Sequence, residues 1–323
     1  MDGFYYDLEA FGEELKNIRK SLGLSQIDVS KHGFINRDTL RKIENGKVLP
    51  KQETLELLSH LYKKDLNELL LKYRLKDFPT FFDIKCSLEN KLESGNFESL
   101  KEDVDRLKKL LEKGNMSLYY SKLLNQLLLL AESVFEKTIN KDHEKAMEKL
   151  QKAMEVTIPN FSLSNYTDFV YSDMEIRILM NMSLIIKKTE NVQKSLEMLL
   201  FCLENLSPEE WETKIKIYYN ISYNYHILSL YKESLHYSNL GIETCIKNNT
   251  LSGLGLLYFR KAIAEYSLGK EEYKDSLVKS IHLFEMTSQE KLIETTIESC
   301  RKFYNLEISK ENNMLVIKSR IRN

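Results

Sequence analysis

Apolar residues return at three- and four-residue intervals along almost the whole of this 323-residue chain, and only four prolines and eleven glycines interrupt them. That spacing marks one face of an α-helix, whereas a half-buried strand alternates every second residue. Sandwiches and barrels need frequent turn residues, which this chain lacks. Pro50, Pro79, Pro159 and Pro208 all fall at predicted helix boundaries, where a missing N–H does no damage. The expected fold class is therefore all-α. A short strand suggests itself only at Met314–Ile317, inside a C-terminal tail (305–323) that is otherwise ambiguous.

Composition narrows the function classes. Hydrophobic residues make up 42% and charged residues 29%, enough for a real core and too apolar for wholesale disorder. Apolar stretches such as Leu127 to Ala131 fall far short of the roughly 20 residues a membrane span needs. With no basic, apolar leader at the start, the chain reads as cytoplasmic. Cys86, Cys202, Cys245 and Cys300 stand singly, which fits reduced core thiols better than a disulfide framework or zinc site. The six histidines form no HExxH, and there is no GxSxG and no Gly-rich phosphate loop. No catalytic residue, metal or cofactor is expected. The net charge of −1 means that any nucleic-acid site must be a local concentration of positive charge.

Residues 1–70 break into short helices. Phe11, Leu15, Ile18 and Leu22 form one apolar face, which Gly23 ends. Ser25-Gln26-Ile27-Asp28 has the S-x-x-D form of a helix start, with Ser25 placed to accept a backbone N–H. Asn36 caps the next helix, Leu40 and Ile43 give it an inward face, and Asn45-Gly46 closes it. The string Leu24-Ser25-Gln26, the stretch Asn36 to Lys47 and Pro50 together resemble the Xre/Cro-type helix-turn-helix domain over about residues 8–70. One feature departs from the family pattern: the turn glycine comes at Gly33, a residue early, with Phe34 in its usual place, which predicts a slightly altered turn.

Charge agrees with that resemblance. From Lys16 to Lys51 there are nine Lys or Arg and three Asp or Glu, an excess of six positive charges in a nearly neutral chain. With Leu40 and Ile43 inward, Asp38, Arg41 and Lys42 turn outward beside Arg37. The second helix of such a pair enters the major groove, where arginine can take guanine with two hydrogen bonds. Arg37, Asp38, Thr39, Arg41, Lys42 and Lys47 are thus the candidate DNA-binding residues. The resemblance adds Gln26 as a phosphate contact and a pairing of Arg19 with Glu44 inside the domain.

A linker is expected at 71–79, and a second domain at 80–304. Its pattern repeats. Asn181 and Asn220 are 39 residues apart, as are Arg177 and Lys216, and Ser195-Leu196 and Ser234-Leu235. Tyr231 to Leu235 returns as Tyr273 to Leu277 at a spacing of 42. Ser222, Tyr225 and Ser234 fall where tetratricopeptide repeats place a small residue, an aromatic and a small residue. Five degenerate hairpins are predicted, at 80–113, 117–156, 166–205, 211–248 and 251–286, with a closing helix near 289–304. An irregular helical bundle with chance echoes is the alternative.

This combination resembles the RNPP family of bacterial quorum-sensing regulators, the PlcR, PrgX and Rgg type. The resemblance implies a cytoplasmic homodimeric transcription regulator that binds operator DNA and takes a short signalling peptide in its repeat domain. With the first helix of each hairpin lining the inner side, the candidate peptide-binding residues are Arg177, Asn181, Leu184, Lys187, Lys216, Tyr219, Asn220 and Tyr223. An extended peptide needs both donors and acceptors, and an Asn amide supplies both. The family's use of Asn on the peptide backbone carries over to Asn181 and Asn220 alone. Tyr258 and Arg260 are further contributors whose alignment is uncertain by two residues. The competing reading is a helix-turn-helix repressor whose repeats serve only for protein docking or dimerisation.

Overall fold

The computed structural model of the chain describes residues 6–31, 35–74, 78–94, 97–113, 116–311 and 314–319. The slightly altered turn expected at Gly33-Phe34, residues 75–77 of the expected linker, and residues 312–313 and 320–323 of the tail lie outside these residues. The chain packs as two compact units, residues 1–87 with 105–124, and residues 88–104 with 125–323.

The first unit opens with α1 (Leu8–Ser21), α2 (Gln26–Lys31), α3 (Arg37–Glu44), α4 (Gln52–Tyr62) and α5 (Leu66–Leu71). These are short helices, and a shared core holds them where intrinsic propensity alone would not. Phe11, Leu15, Val29, Leu40, Ile43, Leu58 and Leu66 are buried together. Caps fix the boundaries. Ser25 Oγ accepts the Asp28 N–H at 3.1 Å while Asp28 takes the Ser25 N–H at 2.8 Å, and Asn36 caps α3 through the Asp38 N–H at 2.8 Å. Gly46 ends α3 at φ +67, and a Cβ there would also meet the Glu9 backbone at 2.7 Å, so glycine is required twice over. α6 (Phe78–Ser94) carries Pro79 in its first turn, where no N–H is needed. Asp83 of α6 pairs with Arg106 of α7 (Leu100–Glu112) within this unit.

The second unit is a run of helical hairpins. α8 (Leu118–Phe135) with α9 (His143–Glu155), α10 (Asp173–Thr189) with α11 (Val192–Glu204), α12 (Trp211–Ile227) with α13 (Tyr231–Lys247), and α14 (Leu254–Ser267) with α15 (Tyr273–Met286) follow in order, closed by α16 (Glu290–Tyr304). The hairpins expected at 117–156, 166–205, 211–248 and 251–286 and the closing helix match these pairs, and α6 with α7 falls at the one expected at 80–113. One start moves: α10 begins at Asp173, not 166, because Ser172 and Glu175 form a capping box there.

Small residues let the paired helices approach closely. Ser222 Oγ donates to the Ser234 carbonyl at 2.8 Å and lies 3.1 Å from Ser234 Oγ, joining α12 to α13. Ser133 bonds the Ala146 carbonyl between α8 and α9, and Ser280 the Gly255 carbonyl between α15 and α14. At Gly241 of α13 a Cβ would sit 2.5 Å from Leu257 of α14, so successive hairpins touch there. Tyr225 stacks on Tyr237 with ring centroids 5.4 Å apart, the aromatic filling its expected place.

The all-α expectation holds, with one small hairpin of strands added at its end. β1 (Leu306–Glu311) pairs antiparallel with β2 (Met314–Ser319), Ile308 facing Ile317. The strand at 314–317 was legible, but its partner alternates over too few residues to stand out. Leu306, Ile308 and Ile317 pack on Phe259, Ile263 and Cys300, and that burial holds the hairpin in place. Among the described residues no helix is long and apolar enough to cross a membrane, and no cluster of three metal-ligating side chains occurs.

Candidate functional site

In the first unit α3 turns Leu40, Ile43 and Glu44 inward and leaves Arg37, Asp38, Thr39, Arg41 and Lys42 exposed, with Lys47 exposed just beyond. Arg41 and Asp38 form a solvated pair at 3.2 Å. Behind this face Arg19 meets Glu44 as a buried fork, Nε to Oε1 at 2.6 Å and Nη2 to Oε2 at 2.9 Å. Gln26 is half-buried, and its amide donates to the same Glu44 at 2.7 Å. Six of the seven candidate residues thus share an open, largely cationic surface, while the Gln26 side chain is turned into the domain.

In the second unit α10 and α12 bring Arg177, Asn181 and Leu184 beside Lys216 and Asn220 on the wall of an open cavity of about 230 Å³. Its apolar lining comes from Met180, Leu256 and Phe284 among others. A π-helical turn (Glu136–Asn140) at the end of α8 re-aims the chain so that Lys137 and Thr138 reach the same wall. The two asparagines behave alike. Asn181 Nδ2 donates to the Arg177 carbonyl at 2.9 Å, and Asn220 Nδ2 to the Lys216 carbonyl at 2.8 Å.

Glu89 of α6 lies between the cations, Oε1 at 2.5 Å from Arg177 Nη1 and Oε2 at 3.1 Å from Lys216 Nζ. Burial would raise its pKa, but the two positive charges and their hydrogen bonds outweigh that and hold it down at about 2. The sequence reading missed Glu89. Its signal was indirect: two cations at one repeat register, facing a cavity, call for a carboxylate.

Lys187, Tyr219 and Tyr223 do not line that cavity: Lys187 and Tyr223 lie further along the same helices, and Tyr219 stands between Lys216 and Asn220 on α12. Lys187 Nζ sits 4.3 Å from the Tyr223 ring centroid, and Arg260 of α14 lies 4.7 Å from the same ring and 5.5 Å from that of Tyr219. The tyrosines therefore serve as platforms for cations. Burial pushes Lys187 down to about 8, assisted by the charges of Arg260, Lys137 and Lys188. Lys137 is likewise pushed to about 8, by burial and then by Lys188. Beside them His226 Nε2 meets Tyr304 Oη at 2.9 Å, and burial with the Arg260 charge lowers its pKa to about 4.

Residues 15–69 match the helix-turn-helix family model. No curated protein matches the chain. Among solved structures, PlcR of Bacillus thuringiensis in complex with the peptide PapR7 and DNA is 19% identical with TM-score 0.71, covering 90% of this chain and 99% of its own. ComR from S. thermophilus, in complex with DNA and its signalling peptide ComS, is 15% identical with TM-score 0.57, covering 88% and 97%. The SHP pheromone receptor Rgg2 of Streptococcus dysgalactiae is 15% identical with TM-score 0.55, covering 90% and 99%. The chain thus carries a helix-turn-helix domain followed by an array of tetratricopeptide-like hairpins, and it shares this fold with all three.

Proposed function

We propose that the chain is a cytoplasmic transcription regulator that binds operator DNA through α3 and is controlled by a short peptide held along α10 and α12. The observation that carries this reading is the matched pair Asn181 and Asn220, at one repeat register on the wall of one cavity, each beside a cation. Two amides at successive repeats can grip an extended backbone at two points. Arg177, Leu184, Lys187, Lys216, Tyr219 and Tyr223 then surround the side chains of the peptide. PlcR in complex with PapR7 and DNA, and ComR in complex with DNA and ComS, share this fold and support a peptide-regulated reading.

On the DNA side Arg37, Asp38, Thr39, Arg41 and Lys42 read base edges, while Lys47 approaches phosphates. A homodimer places two such helices about one helical turn apart on a palindromic operator. The peptide shifts DNA affinity only by its differential affinity for two states of the protein.

Fluorescence anisotropy with labelled promoter fragments, with and without short synthetic peptides, tests the reading. Specific binding that a peptide changes is the expected result. DNA binding that no peptide alters, with capture of a protein partner instead, would replace peptide sensing with the docking reading.

A further inference from the structure

Three cations in the second unit have no acid to answer them. Lys137, Lys187 and Arg260 make no ion pair with any carboxylate among the described residues. Arg260 is only 8% exposed, and its Nε is buried without a hydrogen-bond partner. Lys187 and Arg260 approach the same Tyr223 ring, at 4.3 and 4.7 Å from its centroid, so two like charges share one aromatic surface. The ring's electron-rich face offsets part of their repulsion, but a buried guanidinium still lacks an acceptor.

The same unit contains a cation pair that has been answered. Arg177 and Lys216 hold the two oxygens of Glu89, one each. Arg177 and Lys187 stand ten residues apart on α10, about 15 Å along its axis, with Asn181 between them. An extended chain of about five residues covers that distance.

Resting on the peptide reading above, we infer that the ligand presents a carboxylate, its own C-terminus or an acidic side chain, to Lys187 and Arg260 across the ring of Tyr223. Lys137 adds long-range attraction from the cavity wall. The carboxylate supplies the acceptor that Arg260 lacks and separates the two cations, so the site selects an acidic peptide over a neutral one of equal size. The lowered pKa values of Lys187 and Lys137 agree with cations awaiting a counter-charge.

Affinity selection on the full-length protein with three random heptapeptide libraries separates the sources. One library consists of free acids without Asp or Glu, one of C-terminal amides without Asp or Glu, and one of C-terminal amides carrying a single Glu. Enrichment is expected from the first or the third, identifying a terminal or a side-chain carboxylate. Each selected peptide should lose at least about tenfold in affinity when that carboxylate becomes an amide. Lys187→Gln with Arg260→Gln should abolish the difference between acid and amide. Because that pair of changes alters a buried site, a second measurement uses the unaltered protein: the Lys187 Nζ resonance should titrate at higher pH once an acidic peptide is bound.

Acid and amide binding equally well to the unaltered protein would overturn the carboxylate and leave the peptide reading standing. Acid preference that survives the double substitution, or an unmoved Lys187 titration, would overturn the assignment to these residues. Enrichment from none of the libraries would overturn the peptide reading itself.

Discussion

Asn220 repeats, 39 residues on, the geometry of Asn181: each side-chain amide donates to the carbonyl four residues back in its own helix, at 2.8 and 2.9 Å. That bond uses one of two N–H donors and neither acceptor lone pair of the amide oxygen. The helix orients the amide without exhausting it, which suits a group waiting for a peptide backbone. Replacing either residue with Ala should cost at most about 1 kcal/mol of stability, since Ala is the better helix former. The double substitution should weaken peptide binding by about 1–3 kcal/mol while leaving operator binding intact. Calorimetry with a selected peptide, run beside a thermal melt, checks both. Unchanged affinity would remove the two asparagines from the site.

Glu89→Gln should be among the most damaging changes in the second unit. It takes the shared carboxylate away from Arg177 and Lys216 in a place where the Glu89 side chain is only 16% exposed, a loss of about 3 kcal/mol. Acid should reproduce the effect. The folded carboxyl stays ionised down to about 2 against an ordinary 4.5, so its stabilisation is complete above pH 4.5 and is lost as pH falls towards 2. Trp211 is the only tryptophan and belongs to this unit, so its fluorescence follows the transition. The gap in stability between the two proteins should close on acidification; a constant gap would mean that the Glu89 charge is not its cause.

The buried fork between Arg19 and Glu44 makes a parallel case in the first unit, with side-chain exposures of 7% and 1%. Glu44→Ala strands a buried guanidinium and deprives Gln26 of its acceptor, at a cost of about 3–5 kcal/mol. Hydrogen exchange should localise the loss to residues 8–70, and promoter binding should fail with it. Protection unchanged across α1 and α3 would count against the fork as a determinant of this domain.

Local chemistry made much of this legible. Ser25 and Asn36 announce helix starts by residue type, and the spacing of Leu40 and Ile43 decides which face of α3 is open. The 39-residue register alone pairs Arg177 with Lys216 and Asn181 with Asn220. Long-range partners were not legible. Glu89 meets Lys216 from 127 residues away and belongs to no repeat position, so only three-dimensional packing reveals it. Tyr219 and Tyr223 read as apolar surface for a ligand, but their rings hold Arg260 and Lys187, because a π-face attracts whichever cation the fold delivers. The resemblance made Gln26 a phosphate contact and gave no sign that its amide donates to the buried Glu44.

Arg41 is paired with Asp38 at 3.2 Å, both side chains well exposed, so the pair itself contributes little to stability. Arg41→Ala should leave the melt unchanged and weaken specific operator binding by about 1–3 kcal/mol through loss of a base contact. Asp38→Ala frees the guanidinium and should strengthen non-specific binding, most visibly at low salt. Titrations at several salt concentrations separate the two, because a lost phosphate contact changes the salt slope and a lost base contact does not. An Arg41→Ala protein with unaltered site preference would exclude that residue from base reading.

Lys187 offers the reverse of Glu89, a charge whose removal should help the unliganded protein. Its pKa is pushed to about 8 in the folded chain against an ordinary 10.5, so between those values the unfolded chain binds more protons. Stability owed to this group therefore rises with pH across that window and is least below pH 8. Lys187→Met should stabilise the unliganded protein at pH 7 by about 1 kcal/mol after allowance for the lost ring contact. The advantage should shrink towards pH 10. Cys202, Cys245 and Cys300, each pushed up by burial to about 12, titrate in the opposite sense above pH 9, so the quantity to follow is the difference between variant and unaltered protein. A variant that melts below the unaltered protein at pH 7 would mean that Lys187 is already satisfied, and that its neighbourhood has no call for an acid.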